Sequence, residues 1–379
     1  MTSNRIYSFA LQAVFMGVVV WAIYTLMLTT KANLEARDVE SGFDFLSQRA
    51  GIPINVSLID YTPNDTYGRA FLVGIINTIY TAIFCIIFAT VIGIIMGVAQ
   101  VSGNLLVTKI AEVYVEIFRN IPVLLILLFI YGVVLAGLPA VRQAWELFPG
   151  GFLTQRGVYF PKPIPTDGFS LVIGAFVIAV IFSIFFARWA RKKQNETGHA
   201  SPVIRTNVAV LILLPLAAFF IAGQPLDWDT PAIAGFNFQG GMKLTPEFVA
   251  LVVGLSIYRG AFIAENVRAG IVAVSRGQIE AADAMGLPPG RIMSSITLPQ
   301  ALRTIIPATT NDYASLVKDS SLAIAIGFAD MVSIGGTMIG QNGQALEVIA
   351  IWMAVYLTIN LAISVAMNLA NSKFQIVER

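Results

Sequence analysis

Histidine and cysteine are nearly missing: His199 and Cys85 are the only ones among 379 residues. One thiol cannot build a disulfide framework, and Cys85, inside an apolar run, reads as a packed membrane thiol. Metal centres built on His and Cys, and Ser/His or Cys/His nucleophilic centres, lack raw material. No metal ligand set or catalytic residue is expected. A Gly-Lys dipeptide occurs nowhere in the sequence. The phosphate-cradling G-x-x-x-x-G-K-[ST] loop is therefore absent, and the chain is not expected to bind ATP itself. Charge is scarce too, at 12% of residues against 56% hydrophobic, which excludes a pair of ordinary soluble domains and gives no basis for nucleic-acid binding.

What is there instead is a series of apolar runs long enough to cross a bilayer, for which about 17 to 25 residues are needed. They lie near 8–30, 71–99, 117–137, 169–187, 206–223, 247–270, 305–329 and 347–369, eight spans of an all-α integral membrane protein. The run at 206–223 is short and holds Pro215, which membrane helices tolerate better than soluble ones. On alternate sides of the eight spans, fourteen basic residues stand against eight, and the poorer side has the longer loops. Both termini and the loop at 275–300 are therefore expected on the cytoplasmic face. The first run is too long for a signal h-region and reads as a retained anchor. Residues 31–69 form a polar external loop with mixed charge. The proline-rich 138–168 reads as an irregular external loop, and the basic 188–205, with His199, as an inner topology signal near anionic lipid.

The most informative stretch lies between two of these runs. Ser275 and Gln278 have capping-box spacing, so a helix is expected from about Arg276 through Glu280, Ala281 and Ala282. Gly286 supplies a left-handed stop, and Pro288-Pro289 bar continuation. The small surface of Ala281, Ala282 and Ala284 would admit a close partner, with Ile279 and Met285 filling an apolar cleft. Ile296, Leu298 and Pro299 close the unit.

Glu-Ala-Ala, three residues, Gly, nine residues, Ile-x-Leu-Pro resembles the cytoplasmic EAA loop of permease subunits of bacterial ABC importers. Asn77-Thr78, Glu116 through Asn120, Tyr258 through Arg268 and Lys318 through Leu322 resemble the polar amino acid branch. The similar regions cover roughly 70–136 and 246–370. The run at 60–69 is similar to the general L-amino-acid subgroup, which handles acidic, amide and other amino acids. The resemblance implies a five-helix type I importer core at 71–99, 117–137, 247–270, 305–329 and 347–369. An anchor and external loop (1–69) would precede it, an insertion (138–245) would add two helices, and a cytoplasmic tail (371–379) would follow. It also implies a coupling role for Glu280, Ala281, Ala282, Gly286, Ile296, Leu298 and Pro299. The implied partners are a second permease subunit of a different sequence, two ABC ATPase subunits that bind ATP and Mg, and a periplasmic amino-acid-binding protein.

Ionisable groups inside the spans cost about 2.5 to 3.5 kcal/mol each at a helix centre and should face protein or water. Asn311, Asp312, Ser315, Lys318 and Asp319 fall on one helical stripe. Adjacent Lys318 and Asp319 each need another partner. Either an amino acid supplies it, or these charges pair across helices to hold the bundle; both readings stay open. Arg259 is a further candidate for an anionic carboxylate. Arg259 and Glu265 fall on different faces, so Glu265 and Arg268 read as gate or structural ion-pair residues. Asn77 joins that structural or gate group, as do Glu116 and Arg119, which are spaced to pair at i, i+3. Gly93 and Gly97 form a G-x-x-x-G seam for helix packing. The competing class, an ion- or proton-coupled secondary transporter, leaves the EAA pattern unexplained, and the sequence shows no paired broken helices at the midplane.

Overall fold

The computed structural model describes residues 2–36, 42–198 and 201–372. His199 and residues 373–379 of the tail lie outside them. The chain divides into two compact units, Met1–Val133 with Glu247–Arg379, and Val134–Pro246.

In the first unit, α1 (Thr2–Glu35) precedes α2 (Tyr67–Gln100), α3 (Leu105–Asn120) and α4 (Val123–Gly137). Beyond the other unit follow α7 (Pro246–Val272), α8 (Arg276–Ala284), α9 (Pro289–Ile292), α10 (Leu298–Asp319), α11 (Met331–Asn342) and α12 (Ala345–Ser372). The loop before α2 folds onto the core. A 3-10 turn at Asp44–Ser47 buries Phe45 beside Tyr67 and Phe71 of α2, Met331 and Met338 of α11 and Val348 of α12.

α7 is the central helix. In its membrane-crossing stretch 61% of the residues are buried, against 28% in α2 and 6% in α12. Glycine brings α2 onto it: a Cβ on Gly93 would stand 2.5 Å from Ile263, and one on Gly97 2.5 Å from Val267. The G-x-x-x-G expectation thus describes a real seam in which two backbones nearly touch. Gly270 of α7 repeats the device toward Ile305 of α10, where an added Cβ would be 2.5 Å away.

Two expected spans are bent. Residues 117–137 do not form one helix: α3 and α4 meet at 108° around Asn120–Pro122, where proline disfavours helix for the residue before it. The span at 305–329 begins earlier, at Leu298, and α10 tightens into a 3-10 segment at Ser320–Ile326. Gly327, at φ +77°, ends that segment, and α11 follows with a 55° bend in the pair. Broken helices, which the sequence did not show, are therefore present. Among the described residues six helices can cross a membrane, or eight if each bent pair is one span.

The second unit adds short strands to the helical architecture. The helices α5 (Phe169–Thr197) and α6 (Val203–Ile221) pair as a hairpin, with Asn207 Nδ2 donating to the Ser183 carbonyl at 3.2 Å. Around it run β1 (Trp145–Phe148), β2 (Gly151–Thr154), β3 (Gly157–Phe160), β4 (Lys162–Pro165), β5 (Leu226–Asp229), β6 (Ala232–Ala234), β7 (Asn237–Gln239) and β8 (Met242–Leu244). They form an antiparallel sheet in the order β1-β2-β3-β8 and two ribbons, β4-β5 and β6-β7. Prolines disguised these strands in the sequence. They sit in the Pro149-Gly150 turn and on the ribbon strand β4, where a missing N–H is tolerated. Tyr159 and Phe238 are buried with Val141, and Phe152 stacks on Phe238 at 4.7 Å.

Candidate functional site

The loop after α7 folds as a two-faced unit. α8 starts at Arg276, as its spacing predicts, but the capping box does not form: Ser275 makes no side-chain cap bond. Gln278 is drawn elsewhere, its Oε1 accepting from Gln300 Nε2 of α10 at 2.5 Å. At the other end Gly286, φ +75°, closes a full Schellman turn. Leu287 N–H donates to the Ala282 carbonyl at 3.2 Å and Gly286 N–H to the Asp283 carbonyl at 2.8 Å.

Burial sorts the alanines. Ala282 is only 1% exposed and faces the loop itself, which corrects its expected place on the partner surface. Ala281, Ala284, Glu280 and Met285 remain outward, Met285 at 72% exposure. Ile279 lies against a cavity of about 340 Å³ lined with Ile271, Ile292, Met293 and Thr297, with Glu280 and Asp283 at its polar side. Ile296 and Pro299 are half-buried and Leu298 is 42% exposed. A π-turn at Met293–Thr297 leads directly into α10, and Gln300 Nε2 also donates to the Ile296 carbonyl there at 3.1 Å. Gln300 therefore fastens α8 to the foot of α10. Its partner is 22 residues away, which no local spacing discloses.

The charges of the spans form a second arrangement. Arg259 Nε donates to Asp319 Oδ2 at 2.8 Å, and its Nη1 lies 3.7 Å from Asp312 Oδ1. Asn266 Nδ2 donates to the same Asp312 carboxylate at 2.5 Å. Arg259, Asp312 and Asp319 thus pair across α7 and α10. Asn266 was missing from the sequence candidates because an amide carries no formal charge to mark it. Glu265 and Arg268 form their own pair on α7, 2.6 Å apart at the closest.

Other candidates are placed differently. Lys318 and Asn311 are exposed and Ser315 half-buried on α10; Lys318 makes no ion pair among the described residues. The expected Glu116–Arg119 pair is not formed within 4 Å. Arg119 instead stacks its guanidinium on Phe262, 5.4 Å from the ring centroid. Asn77 is buried and fastens α2, its Nδ2 donating to the Val56 and Ala329 carbonyls at 2.8 and 2.9 Å. Its neighbour Thr78 accepts from the Met331 N–H at 3.1 Å.

The fold is that of a multi-pass helical membrane protein with a short capped helix exposed between two spans. Residues 199–376 match the family described as binding-protein-dependent transport system inner membrane component. YhdX of Escherichia coli (strain K12) is 47% identical over 96% of this chain and 92% of its own length. AapQ of Rhizobium johnstonii, a general L-amino acid transport system permease protein, is 45% identical over 97% of this chain and 90% of its own. BztB of Rhodobacter capsulatus, a glutamate/glutamine/aspartate/asparagine transport system permease protein, is 36% identical over 99% and 95%. The chain belongs to this family of ABC-transporter permeases of the inner membrane.

Proposed function

We propose that this subunit carries polar L-amino acids across the bacterial inner membrane within an ATP-driven importer, switching between inward and outward openings. The observation that carries the reading is α8: a short helix with a fixed end, Met285 and two small alanines outward, anchored on α10 through Gln300. It suits a rigid knob docked on an ATPase subunit, so that closure of two ATPases around ATP and Mg moves α8 and, through it, the membrane helices. Glu280, Gly286 and the Ile296–Pro299 turn shape and position that knob. A second, different permease completes the path, and a periplasmic binding protein delivers the cargo. Both termini and α8 face the cytoplasm.

Polar L-amino acids as cargo follow from the relatives AapQ and BztB and from the polar groups kept inside the spans. Lys318, Asn311 and Ser315, open on α10, are the remaining path residues from the charged stripe. Arg259, Asp312 and Asp319 satisfy one another, which favours a bundle-holding role. Purification of the tagged chain from native membranes, then reconstitution, tests the reading. ATP-dependent uptake of L-glutamate or L-glutamine is expected only with ATPase subunits and binding protein present. Uptake by the lone chain under an ion gradient would establish a secondary transporter instead.

A further inference from the structure

A second polar cavity, of about 440 Å³, opens beside α3, and neither the α8 unit nor the charged stripe of α10 accounts for it. Gln100, Glu112, Glu116, Arg119, Asn120 and Phe262 line it. Its volume falls within the range of about 300–1,000 Å³ usual for small-molecule sites.

The polar groups here are incompletely used. Gln100 is only 9% exposed, yet its Nε2 has no hydrogen-bond partner, which is costly for a buried amide. Arg119 makes no ion pair within 4 Å among the described residues, although Glu116 stands one helical turn away. Glu112 is engaged by Lys109 at 3.0 Å, whereas Glu116 has no ion-pair partner among the described residues. Asn120 Nδ2 donates to the Glu116 carbonyl at 2.6 Å, which occupies that amide within α3. What remains on the wall is a cation, an N–H donor and a carboxylate. An amino acid backbone, carboxylate and ammonium on one carbon, presents the complementary pair.

Phe262 bounds this cavity from the network already described. The guanidiniums of Arg119 and Arg259 both lie 5.4 Å from its ring centroid. Arg259 is held by Asp312 and Asp319, so Arg119 is the guanidinium left to meet a ligand.

We propose that this cavity binds the backbone of the transported amino acid, its carboxylate on Arg119 and Gln100 Nε2 and its ammonium on Glu116. The proposal rests on the amino acid reading above and gives that cargo a location. Binding is measured on the purified full transporter complex with three labelled probes: L-glutamine, its α-amide, which lacks the carboxylate charge, and N-acetyl-L-glutamine, which lacks the ammonium. The wild-type complex should bind L-glutamine about ten- to hundredfold more tightly than either analogue, as expected for hydrogen bonds to charged groups. Arg119→Met should abolish the preference over the α-amide but keep that over the N-acetyl compound, Glu116→Gln should do the reverse, and Gln100→Leu should weaken L-glutamine and the N-acetyl compound, which both carry the carboxylate, more than the α-amide. Should Arg119→Met fail to assemble, Arg119→Gln, which removes the charge and keeps a polar side chain, supplies the same comparison. Wild-type affinity in the Arg119 and Glu116 variants, or an equal loss for all three probes, would overturn the site while leaving the transport reading intact. A wild-type complex that takes up no amino acid would overturn the transport reading itself.

Discussion

Arg259 stands between two carboxylates, its guanidinium bonded to Asp319 and 3.7 Å from Asp312. Its side chain is only 12% exposed, so removing it strands negative charge where water is scarce. Arg259→Ala should cost about 3–5 kcal/mol, the scale for breaking a buried pair from one side. The loss should appear as a lowered unfolding midpoint of the detergent-solubilised protein. A midpoint like that of the wild type would show that water or lipid headgroups reach the carboxylates. The sequence made these residues visible as costly charges in apolar runs. It left open whether they meet each other or a ligand, because residues on separate helices have no spacing to read. Gln300 escaped for the same reason, Asn266 because an amide carries no formal charge, and Phe262 because an aromatic in a membrane helix looks like any other apolar side chain.

At the scale of elements, α8 was legible almost to the residue because its stop signal is local. Gly286 at φ +75° followed by two prolines permits no other outcome than a helix ending at Ala284. Gly286→Val should strain that turn by about 1–3 kcal/mol, leave membrane insertion intact and separate ATP hydrolysis from uptake. Parallel assays of ATPase activity and transport in the reconstituted complex check it, and wild-type coupling would remove the docking role of α8. The bend between α3 and α4 and the strands of residues 145–165 and 226–244 were far less legible. Hydropathy measures how long a run is and not whether it is straight, so Pro122 passed unnoticed inside an apolar stretch. Three- and four-residue strands are too short for period-two alternation to stand out, and their prolines argued for loop.

Across the molecule, the excess of basic residues on one side of the expected spans supports the proposal that α8 and both termini face the cytoplasm. Cys85 is buried and is the only cysteine, so it can be replaced by alanine and a reporter added elsewhere. In a Cys85→Ala background, Ser294→Cys should react with a membrane-impermeant maleimide only in inside-out vesicles, and labelling in right-side-out vesicles would reverse the topology. The glycine seam has a mechanical consequence. At Gly93, Gly97 and Gly270 there is no room for even one more carbon, so α7 is packed tightly on α2 and on the first half of α10. Displacement of the loop joining α7 to α10 is therefore expected to carry all three together. Opening and closing are then expected elsewhere, at the bend after Asn120 or at Gly327, where the chain already turns.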